Sequence, residues 1–262
     1  MIDIISVKSL EDIQGLRNTY KNELPYAQDL NMEENIWISN YFCIKYSTIT
    51  VGYVCIDANK TLWEFYLEKS AMKFSQEIFQ FLIEMNYITA AESKTYDHLL
   101  MSLCLDFHKE AEGSAYLFRD SMDVIPYMKE YENITMRLAS QEDFTPLSNI
   151  NKIAEDVEFF HDLREDIENK EVFVFLSNNQ LLGAGTSKLI WKNNNHRDIG
   201  MVVAEEHRCK GVGTYIIIKL KEYCYANNYI PVAGCWYYNY SSKKTLEKAG
   251  FISKHRVIRY QF

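Results

Sequence analysis

The sequence predicts an α/β protein, more specifically an α+β arrangement with a mixed sheet, in which two related domains follow each other along the chain. Two observations predict it. Short apolar runs with strand-like alternation recur between segments of helical spacing, and the second half of the chain repeats the first. The segment around Gly52 resembles the segment around Gly183, and Asp12 aligns with Asp143 at the same separation along the chain. One register therefore relates the two halves.

A third match in the repeat sets the predicted domain bounds. Asn86 lies over Asn228 at a larger separation than the first two matches, so the second copy contains a short insertion relative to the first. We assign this insertion to the segment that precedes the long helix of the second copy. The repeat predicts a first domain over residues 1–122, a linker over 123–133 and a second domain over 134–262. Each domain is expected to be a mostly antiparallel mixed sheet flanked by helices.

The elements of the second domain follow from local patterns. Two alternating apolar segments, Val172–Leu176 and Leu182–Thr186, are separated by Ser177 and two asparagines and predict a hairpin. An apolar run at Ile199–Val203 predicts a strand, and the spacing of apolar residues from Val212 onward predicts a helix. The remaining predictions are a strand over Tyr229–Tyr237, a short helix over Ser242–Lys248 that Gly250 ends, and a last strand over Val257–Phe262.

The segment Glu205–Thr214 (EEHRCKGVGT) is the most informative stretch. In it Arg208, Gly211 and Gly213 form R-x-x-G-x-G where a predicted strand passes into a predicted helix. A helix start leaves N–H groups without internal partners and attracts anions. Glycines let a phosphate approach the main chain, and Arg208 and Lys210 add positive charge. The loop therefore predicts a di- or polyphosphate ligand, with simple turn chemistry as the alternative. The first copy lacks this pattern, so we interpret it as degenerate.

Composition and charge exclude several classes of protein. The chain has 262 residues, of which 47% are hydrophobic, and it carries a net charge of -8. Residues 1–130 hold 20 acids and 11 bases, and the rest of the chain holds 16 and 17, so a nucleic-acid surface is not expected. No apolar run approaches the ~20 residues of a membrane helix, and the amino terminus does not resemble a signal peptide. We expect a soluble cytoplasmic protein, a monomer or homodimer, with no membrane or nucleic-acid partner.

Metal binding and covalent chemistry find little support in the sequence. The six cysteines form no C-x-x-C pair and, with six scattered histidines, show no metal-ligand spacing, so no metal site is predicted. We interpret the cysteines as mostly buried thiols in a reducing environment. Cys209 and Cys235 are weak candidates for an acyl-enzyme intermediate, because no histidine base can be identified for either.

Acidic residues are concentrated between positions 155 and 171, from Glu155 and Asp156 to Glu171, opposed only by Arg164 and Lys170. One interpretation is a solvated helix face. The other is the mouth of a site that attracts cations such as amines. The sequence leaves both open.

The second half resembles the GNAT superfamily of N-acetyltransferases. The resemblance rests on the order of strand, hairpin, the segment DIGMVV, the loop RCKGVG, a long helix, a strand and the segment NYSSKKTLEKAGF. It covers roughly Ile134–Phe262, whereas the first half resembles the family only as a degenerate copy. The resemblance implies acetyl-CoA as cofactor, with its pyrophosphate on the N–H groups of Cys209–Thr214 and its pantetheine arm alongside Met201–Val203 as an added strand. Asn239 matches the asparagine that steadies the arm in the family. The implied cofactor residues are Met201, Val202, Val203, Arg208, Cys209, Lys210, Gly211, Val212, Gly213, Thr214 and Asn239.

The resemblance also implies candidate catalytic residues. A free amine must lose a proton before it attacks a thioester, and Asp198 occupies about the place of the family's general base, with Glu171 and the acids around Asp162 as substitutes. Many relatives carry a tyrosine as general acid where this chain has Leu246. Ser242 then remains as a candidate acid, although it also suits the N-cap of a helix, and Tyr240 is a nearby alternative together with Tyr237 and Tyr238.

The expected function is therefore transfer of an acetyl group from acetyl-CoA to a primary amine of a small, cationic molecule by direct attack. A non-catalytic CoA-binding or regulatory module is the alternative, motivated by Leu246 and by the degenerate first copy. A third possibility is acetylation of protein amino termini or lysines, which shares the cofactor and differs in the acceptor groove.

Overall fold

The computed structural model describes residues 1–121, 131, 133–154, 157–191 and 195–262, and it divides the chain into two compact units. The first unit comprises Met1–Tyr116 and His255–Phe262, and the second comprises Leu117–Lys254. Most of the predicted linker over 123–133 lies outside the described residues, as do Glu155 and Asp156 of the acidic segment. Among the described residues, none of the helices combines the length and the apolar character that a membrane crossing requires.

The first unit is a mixed sheet with helices, as the sequence predicts. Its strand order is β1-β2-β3-β4-β5-β14, where β14 is the last strand of the chain (Phe251–Gln261), and only β4 and β5 run parallel among these paired strands. Its elements in chain order are β1 (Ile2–Val7), α1 (Gln14–Glu23), α2 (Leu30–Trp37), β2 (Asn40–Tyr46), β3 (Ile49–Ile56), β4 (Thr61–Leu67), α3 (Ser75–Glu84), β5 (Ala90–Lys94), α4 (His98–Phe107) and β6 (Glu110–Asp120), with 3-10 helices at Leu10–Ile13 and Lys69–Phe74. The last residues of β6, from Leu117 onward, already belong to the second unit.

The second unit has the same plan. Its strand order is β7-β10-β11-β12-β13, with only β12 and β13 parallel, and β8 and β9 form a separate small ladder. Its elements are β7 (Ile134–Leu138), α5 (Phe144–Ile150), β8 (Lys152–Ala154), β9 (Val157–Glu158), α6 (Leu163–Glu168), β10 (Val172–Ser177), β11 (Gln180–Leu189), β12 (His196–Val203), α7 (Val212–Ala226), β13 (Ile230–Trp236), α8 (Tyr240–Lys248) and β14 (Phe251–Gln261), with 3-10 helices at Gln141–Asp143 and Glu205–His207.

The last strand differs most from its predicted form. It spans Phe251–Gln261 rather than Val257–Phe262, and its residues from Val257 onward pair with β5. Tyr260 is 1% exposed in the core of the first unit. The end of the chain therefore belongs to the first unit, whereas the sequence placed it in the second domain, because this pairing joins residues too distant in sequence for a local pattern to reveal.

Local geometry repeats between the units at the predicted separations. Ser9 and Ser140 each begin a 3-10 helix with a capping box, closed by Asp12 and by Asp143. A Cβ at Gly52 would lie 2.0 Å from the carbonyl oxygen of Tyr66, and one at Gly183 would lie 2.5 Å from that of Val202, so both positions require glycine.

The hairpin and helix ends repeat as well. The predicted hairpin turns at Asn178 and Asn179, whose φ angles are 49° and 64°, as the two positive φ angles of a tight hairpin turn require. Asn86 and Asn228, with φ of 58° and 59°, follow the ends of α3 and α7. The repeat inferred from sequence is confirmed in these backbone details.

The predicted position of the insertion in the second copy is only partly right. Gly52 pairs with Leu67 and Gly183 pairs with Val203, and the second of these connections is the longer one. Part of the insertion therefore lies between β11 and the end of β12. The rest lies between Val203 and Asn228, where the loop and α7 replace the 3-10 helix Lys69–Phe74 and α3. Both the hairpin β11–β12 and the segment that follows it are thus longer than their counterparts in the first unit.

Candidate active site

The two parallel strands of the second unit separate before they end. β12 and β13 pair only over His196–Asp198 and Ile230–Val232. β12 then continues to Val203, and β13 continues to Trp236, without further pairing between these fully described strands. A gap therefore opens between them, with the start of α7 at one end.

The main chain of β12 offers hydrogen-bonding groups to this gap at alternate residues. The N–H of Ala204 donates to the carbonyl of Leu182 at 3.0 Å, so alternate residues of β12, including Val202, direct their main-chain groups toward β11. Met201 and Val203 direct theirs to the opposite side, where the strands have separated. Of the three strand residues predicted to meet the pantetheine arm, the structure thus brings Met201 and Val203 to the gap. Val202 instead buries its side chain in the core, at 5% exposure.

The loop after β12 turns sharply into α7. Cys209 has φ 58° and Gly211 has φ 89°, a left-handed conformation that glycine adopts readily. The first intrahelical bond is donated by Tyr215 to the carbonyl of Gly211 at 3.1 Å. The N–H groups of Val212, Gly213 and Thr214 precede that bond and have no partner within the helix.

Gly213 leaves an open cradle beside these N–H groups. A Cβ at this position would lie 3.2 Å from Cγ2 of Thr245 on α8, and 3.5 Å from Sδ of Met201 and from Cγ2 of Val203 on β12. The residue thus lies between the free edge of β12 and α8, and its missing side chain keeps that space open. A phosphate chain with an extended arm fits this arrangement, because the helix start supplies donors and β12 supplies an unpaired edge.

The basic side chains of the loop also support its shape. Nε of Arg208 donates to the carbonyl of Val203 at 3.1 Å, and Nζ of Lys210 donates to the carbonyl of Glu206 at 2.8 Å. Both side chains are exposed. Arg208 therefore ties the loop to the end of β12, a role that the sequence did not indicate, because it depends on the fold of the turn.

A pocket of about 480 Å³ adjoins the loop. Its lining includes His207, Cys209, Lys210 and Val212 from the loop and the start of α7, and Tyr131 from the segment before β7. Cys209 is exposed there, whereas Cys55, Cys104 and Cys224 are buried. The prediction of mostly buried thiols therefore holds for three of the six cysteines.

Asp198 lies where β12 and β13 separate. It pairs with Lys188 of β11 and with Val232 of β13, the last pair of the parallel ladder. Side chains alternate along a strand, so Asp198 shares a face with Gly200 and Val202. That face carries the core formed with α5 and α6, and Phe159 lies over Gly200, its ring 3.1 Å from a Cβ built there. Asp198, which is half-buried, is thus at the beginning of the gap, on the sheet face where Phe159 covers Gly200.

The alternative acids have more defined structural roles. Asp162 caps α6 by accepting the N–H of Glu165 at 3.0 Å, and buried Asp166 pairs with Lys188 at 2.6 Å. Glu171 lies 4.0 Å from the guanidinium of Arg197, and burial raises the pKa of its carboxyl, with Lys188 acting in the opposite direction. The raised proton affinity of Glu171 suits a base.

The start of α8 corrects one prediction and carries two of the candidate catalytic residues, Ser242 and Tyr240. The helix begins at Tyr240, two residues earlier than predicted, and its N-cap is Asn239, whose Oδ1 accepts the N–H of Ser242 at 3.0 Å. Ser242 is therefore not the cap. Leu246 is 2% exposed on the inner side of this helix, while Tyr240 is 57% exposed. No cluster of metal ligands occurs among the described residues.

Comparison with known proteins agrees with this geometry. Residues 9–121 match the model of an acetyltransferase (GNAT) domain, and residues 136–251 match the model of the acetyltransferase (GNAT) family. Together the two matches cover most of the chain. No curated protein matches it.

Solved structures share the fold over nearly the full length. An acetyltransferase from the GNAT family of Colwellia psychrerythraea superposes with a TM-score of 0.89 at 22% identity, covering 99% of each chain. A tandem GNAT protein from the clavulanic acid biosynthesis pathway has a TM-score of 0.62 at 11% identity, covering 100% of this chain and 98% of that one. A GCN5-related N-acetyltransferase from Sphaerobacter thermophilus has the same score at 9% identity, covering 99% and 95%.

Proposed function

The chain belongs to the GNAT superfamily of acetyltransferases and contains two GNAT domains in tandem, and we propose that its second domain acetylates the primary amine of a small, cationic molecule. The protein is an acyltransferase, and acetyl-CoA is its acetyl donor, which supplies an electrophilic thioester carbonyl. The observation that carries the proposal is the gap between β12 and β13, with an unpaired strand edge along one side and a glycine-lined helix start at its end.

The residues of the gap divide the binding of the donor between them. The N–H groups from Val212 to Thr214, with those of the preceding turn, would hold the pyrophosphate, and Lys210 adds positive charge nearby. The main chain of Met201 and Val203 would hold the arm as an added strand. Arg208 already occupies the carbonyl of Val203, so the N–H of Val203 and both main-chain groups of Met201 remain for that pairing.

Asp198 is our candidate for the base that deprotonates the acceptor. An amine is protonated at neutral pH, so a carboxylate, directly or through a water molecule, must accept its proton before attack on a carbonyl. Asp198 is half-buried and stands at the last pair before the strands separate. Attack is direct and needs no acyl-enzyme intermediate, so Cys209 and Cys235 have no catalytic part in this proposal.

The leaving thiolate needs a proton donor or a dipole. Leu246 has no group that could donate a proton, and its side chain is buried. Ser242 in the first turn of α8 and exposed Tyr240 at its start are the hydroxyl groups that we propose for this role. Their matched tests are Ser242→Ala and Tyr240→Phe, each of which removes one hydroxyl and little else.

A cationic acceptor is supported by acids on the α6 side of the sheet. Asp198 shares a sheet face with the core that α5 and α6 cover, and Glu165 and Glu168 are exposed on α6. Their charge would attract an amine to that face. Phe159 adds an aromatic surface beside Gly200, suited to the carbon chain of an amine.

We propose that the first domain binds no acetyl-CoA, because its corresponding gap is filled. β4 and β5 pair only over Thr61 and Leu62, after which buried side chains bridge them. Gln28 donates to Glu64 of β4 at 2.8 Å and accepts a hydrogen bond from Lys94 of β5. Lys94 is 0% exposed and also donates to Tyr20 at 2.7 Å. One molecule of acetyl-CoA should therefore bind per chain.

The filled gap also contains buried side chains of opposite charge. Arg17 pairs with Glu64 and with Glu33, each at 2.8 Å. Burial alone would lower the pKa of Arg17, but the two carboxylates offset this effect and raise it. Conversely, burial alone would raise the pKa of Glu64, but Arg17 lowers it. The buried side chains of Arg17, Gln28, Glu64 and Lys94 are thus hydrogen-bonded to one another in the space where a phosphate would have to enter.

The proposal is tested by measuring the release of the CoA thiol from acetyl-CoA across a panel of polyamines, amino sugars, peptides with free amino termini and lysine peptides. We expect turnover with a small cationic amine, and calorimetry should give one acetyl-CoA per chain. Turnover only with peptides would instead indicate a protein acceptor, and two bound molecules per chain would contradict a closed first domain.

Asp198→Asn should lower kcat by about 100-fold or more, as loss of a general base does, with the affinity for acetyl-CoA changed little. Glu171→Gln is the comparison for the alternative base, and Glu222→Gln, which changes an exposed carboxylate on α7 that pairs with Lys219, is the control. A normal rate in Asp198→Asn with a large loss in Glu171→Gln would move the base to Glu171.

A non-catalytic CoA-binding module is the second candidate, favoured by one observation. The position at which many relatives carry a tyrosine acid holds Leu246, packed inside the protein at 2% exposure. The two functions differ in one measurement, because a module would bind acetyl-CoA in calorimetry and release no thiol with any amine of the panel.

A further inference from the structure

Tyr131, which precedes β7 and lies outside the R-x-x-G-x-G segment, contacts the loop directly. Its hydroxyl donates a hydrogen bond to the carbonyl of Lys210. Its ring packs edge-on against Tyr215 in the first turn of α7, with ring centroids 5.3 Å apart and planes at 73°. A Cβ at Gly211 would lie 3.1 Å from the same hydroxyl. One side chain therefore touches the loop, its glycine and the helix that follows.

We propose that Tyr131 is a positioning residue for acetyl-CoA, because it sets the direction of the Gly211 N–H. This inference rests on the proposed function of the second domain. The carbonyl of Lys210 and the N–H of Gly211 belong to one planar trans peptide unit, in which they point in opposite directions. A hydrogen bond that fixes the carbonyl on the Tyr131 side aims the N–H away from Tyr131.

The conformation of the loop explains why this peptide needs support. The unit lies between Cys209 at φ 58° and Gly211 at φ 89°. A non-glycine residue in the left-handed region is strained, and a glycine there has wide conformational freedom, so neither residue fixes the peptide by itself. Tyr131 supplies an external contact at the atom between them. The ring of Tyr215 holds Tyr131 in turn, which links the peptide to α7.

Other contacts of the loop agree with this role. Tyr131 covers the face of Gly211 on which a side chain would stand, so a phosphate has to approach the main chain from elsewhere. The basic residues of the loop are held by other groups, Lys210 by the carbonyl of Glu206 and Arg208 by that of Val203. Burial raises the pKa of the Tyr131 hydroxyl, which keeps it protonated as a donor.

The first domain offers an internal comparison. In place of the loop it has the 3-10 helix Lys69–Phe74, which contains no residue with positive φ. Such a segment fixes its peptides by its own hydrogen bonds, including that from Ala71 to the carbonyl of Glu68 at 2.8 Å. A tyrosine from outside the loop is thus needed in the domain whose loop contains residues in the left-handed conformation.

The test is Tyr131→Phe, which removes the hydroxyl and keeps the ring against Tyr215. We expect the dissociation constant and KM for acetyl-CoA to rise about 3- to 10-fold, as the loss of one hydrogen bond predicts. kcat, the KM for the amine and the melting temperature should stay close to wild type. Tyr225→Phe is the matched control, because Tyr225 lies near the far end of α7 and donates its hydroxyl to Asp120.

A residue with a merely structural role would lower the melting temperature or alter both substrates alike, and either result would overturn the proposal. So would unchanged acetyl-CoA affinity in Tyr131→Phe. The amide signal of Gly211 in a nitrogen-15 spectrum gives a second measurement, because the variant should shift it in the free protein. If the wild type binds no acetyl-CoA, the proposed function fails, whereas equal binding by wild type and variant rejects only the part assigned to Tyr131.

Discussion

Filling the cradle at Gly213 should damage the binding of acetyl-CoA without damaging the fold. Gly213 is the second residue of α7, and its Cβ position is bounded by Thr245 at 3.2 Å and by Met201 and Val203 at 3.5 Å. In Gly213→Val, two methyl groups would extend beyond that point into the space kept open for the donor. Overpacking costs about 1–3 kcal/mol, and a displaced charge-assisted hydrogen bond costs about 1.5–3 kcal/mol.

Because the methyl groups cannot incur both losses in full, we expect about 2–4 kcal/mol, a roughly 30- to 1000-fold weaker affinity for acetyl-CoA. Calorimetry and the KM for acetyl-CoA measure this loss. Gly15→Val is the matched control, since Gly15 is also the second residue of a helix, α1, and has no atom within 4 Å of its Cβ position. The intrinsic helix preference changes equally in both variants. Wild-type affinity in a folded Gly213→Val protein would refute the assignment of the cradle.

Two further predictions concern stability. The side chain of Arg137 holds the pKa of Asp143 at about 2, so Asp143 stabilises the fold above pH ~4 and loses this effect as the pH falls toward ~2. Asp143→Asn should cost about 1–2 kcal/mol at pH 7, allowing for solvent exposure, and almost nothing near pH 2; equal urea midpoints at pH 7 would contradict this. Glu64→Gln should cost about 3–5 kcal/mol because it leaves buried Arg17 short of a partner, and a change in melting temperature no larger than that of the exposed control Glu77→Gln would be inconsistent with the network.

Local chemistry explains why much of the fold could be predicted from the sequence. Paired asparagines at the hairpin tip and glycines at the loop are short signals, each complete within a few residues. The tandem domains were revealed by residues that recur along the chain, Asp12 with Asp143, Gly52 with Gly183 and Asn86 with Asn228. The insertion of the second copy was partly misplaced because the separation between two matched residues gives only the number of residues between them and does not show which residues pair. The pairing of Gly183 with Val203 is needed to show how many of the inserted residues lie before and after this point.

The candidate site could be predicted only in part, for the same reason. The motif identified the loop and the strand that leads to it. It could not show that the side chain of Val202 is buried in the core while the main-chain groups of Met201 and Val203 are directed to the gap, since this depends on which strand β12 pairs with. The contacts of Arg208 with Val203 and of Tyr131 with Lys210 depend on the path of the turn and on a tyrosine far earlier in the chain. No periodicity in the sequence reports such contacts.

The difference between the open gap and the closed one can be traced to equivalent positions of the two domains. Leu67 and Val203 pair with the equivalent glycines, so Glu64 corresponds to Gly200, each at the same distance before that pair on its strand. At this point the first domain places a buried carboxylate, and the second has no side chain.

The next strand shows the same contrast. Asp97 and Asn239 cap equivalent helices and have the same separation as Asn86 and Asn228, which makes Lys94 the counterpart of Trp236. Lys94 is buried in the network that Gln28 bridges to Glu64, while Trp236 is 57% exposed. The same backbone is thus used in two ways. In the first domain buried polar and charged side chains fill the gap between the separated strands, and in the second domain the main-chain edge of the strand is left open for a ligand. A domain that has filled this space must give up an ion network before it could admit a cofactor, which is why we assign the acetyl donor to the second domain alone.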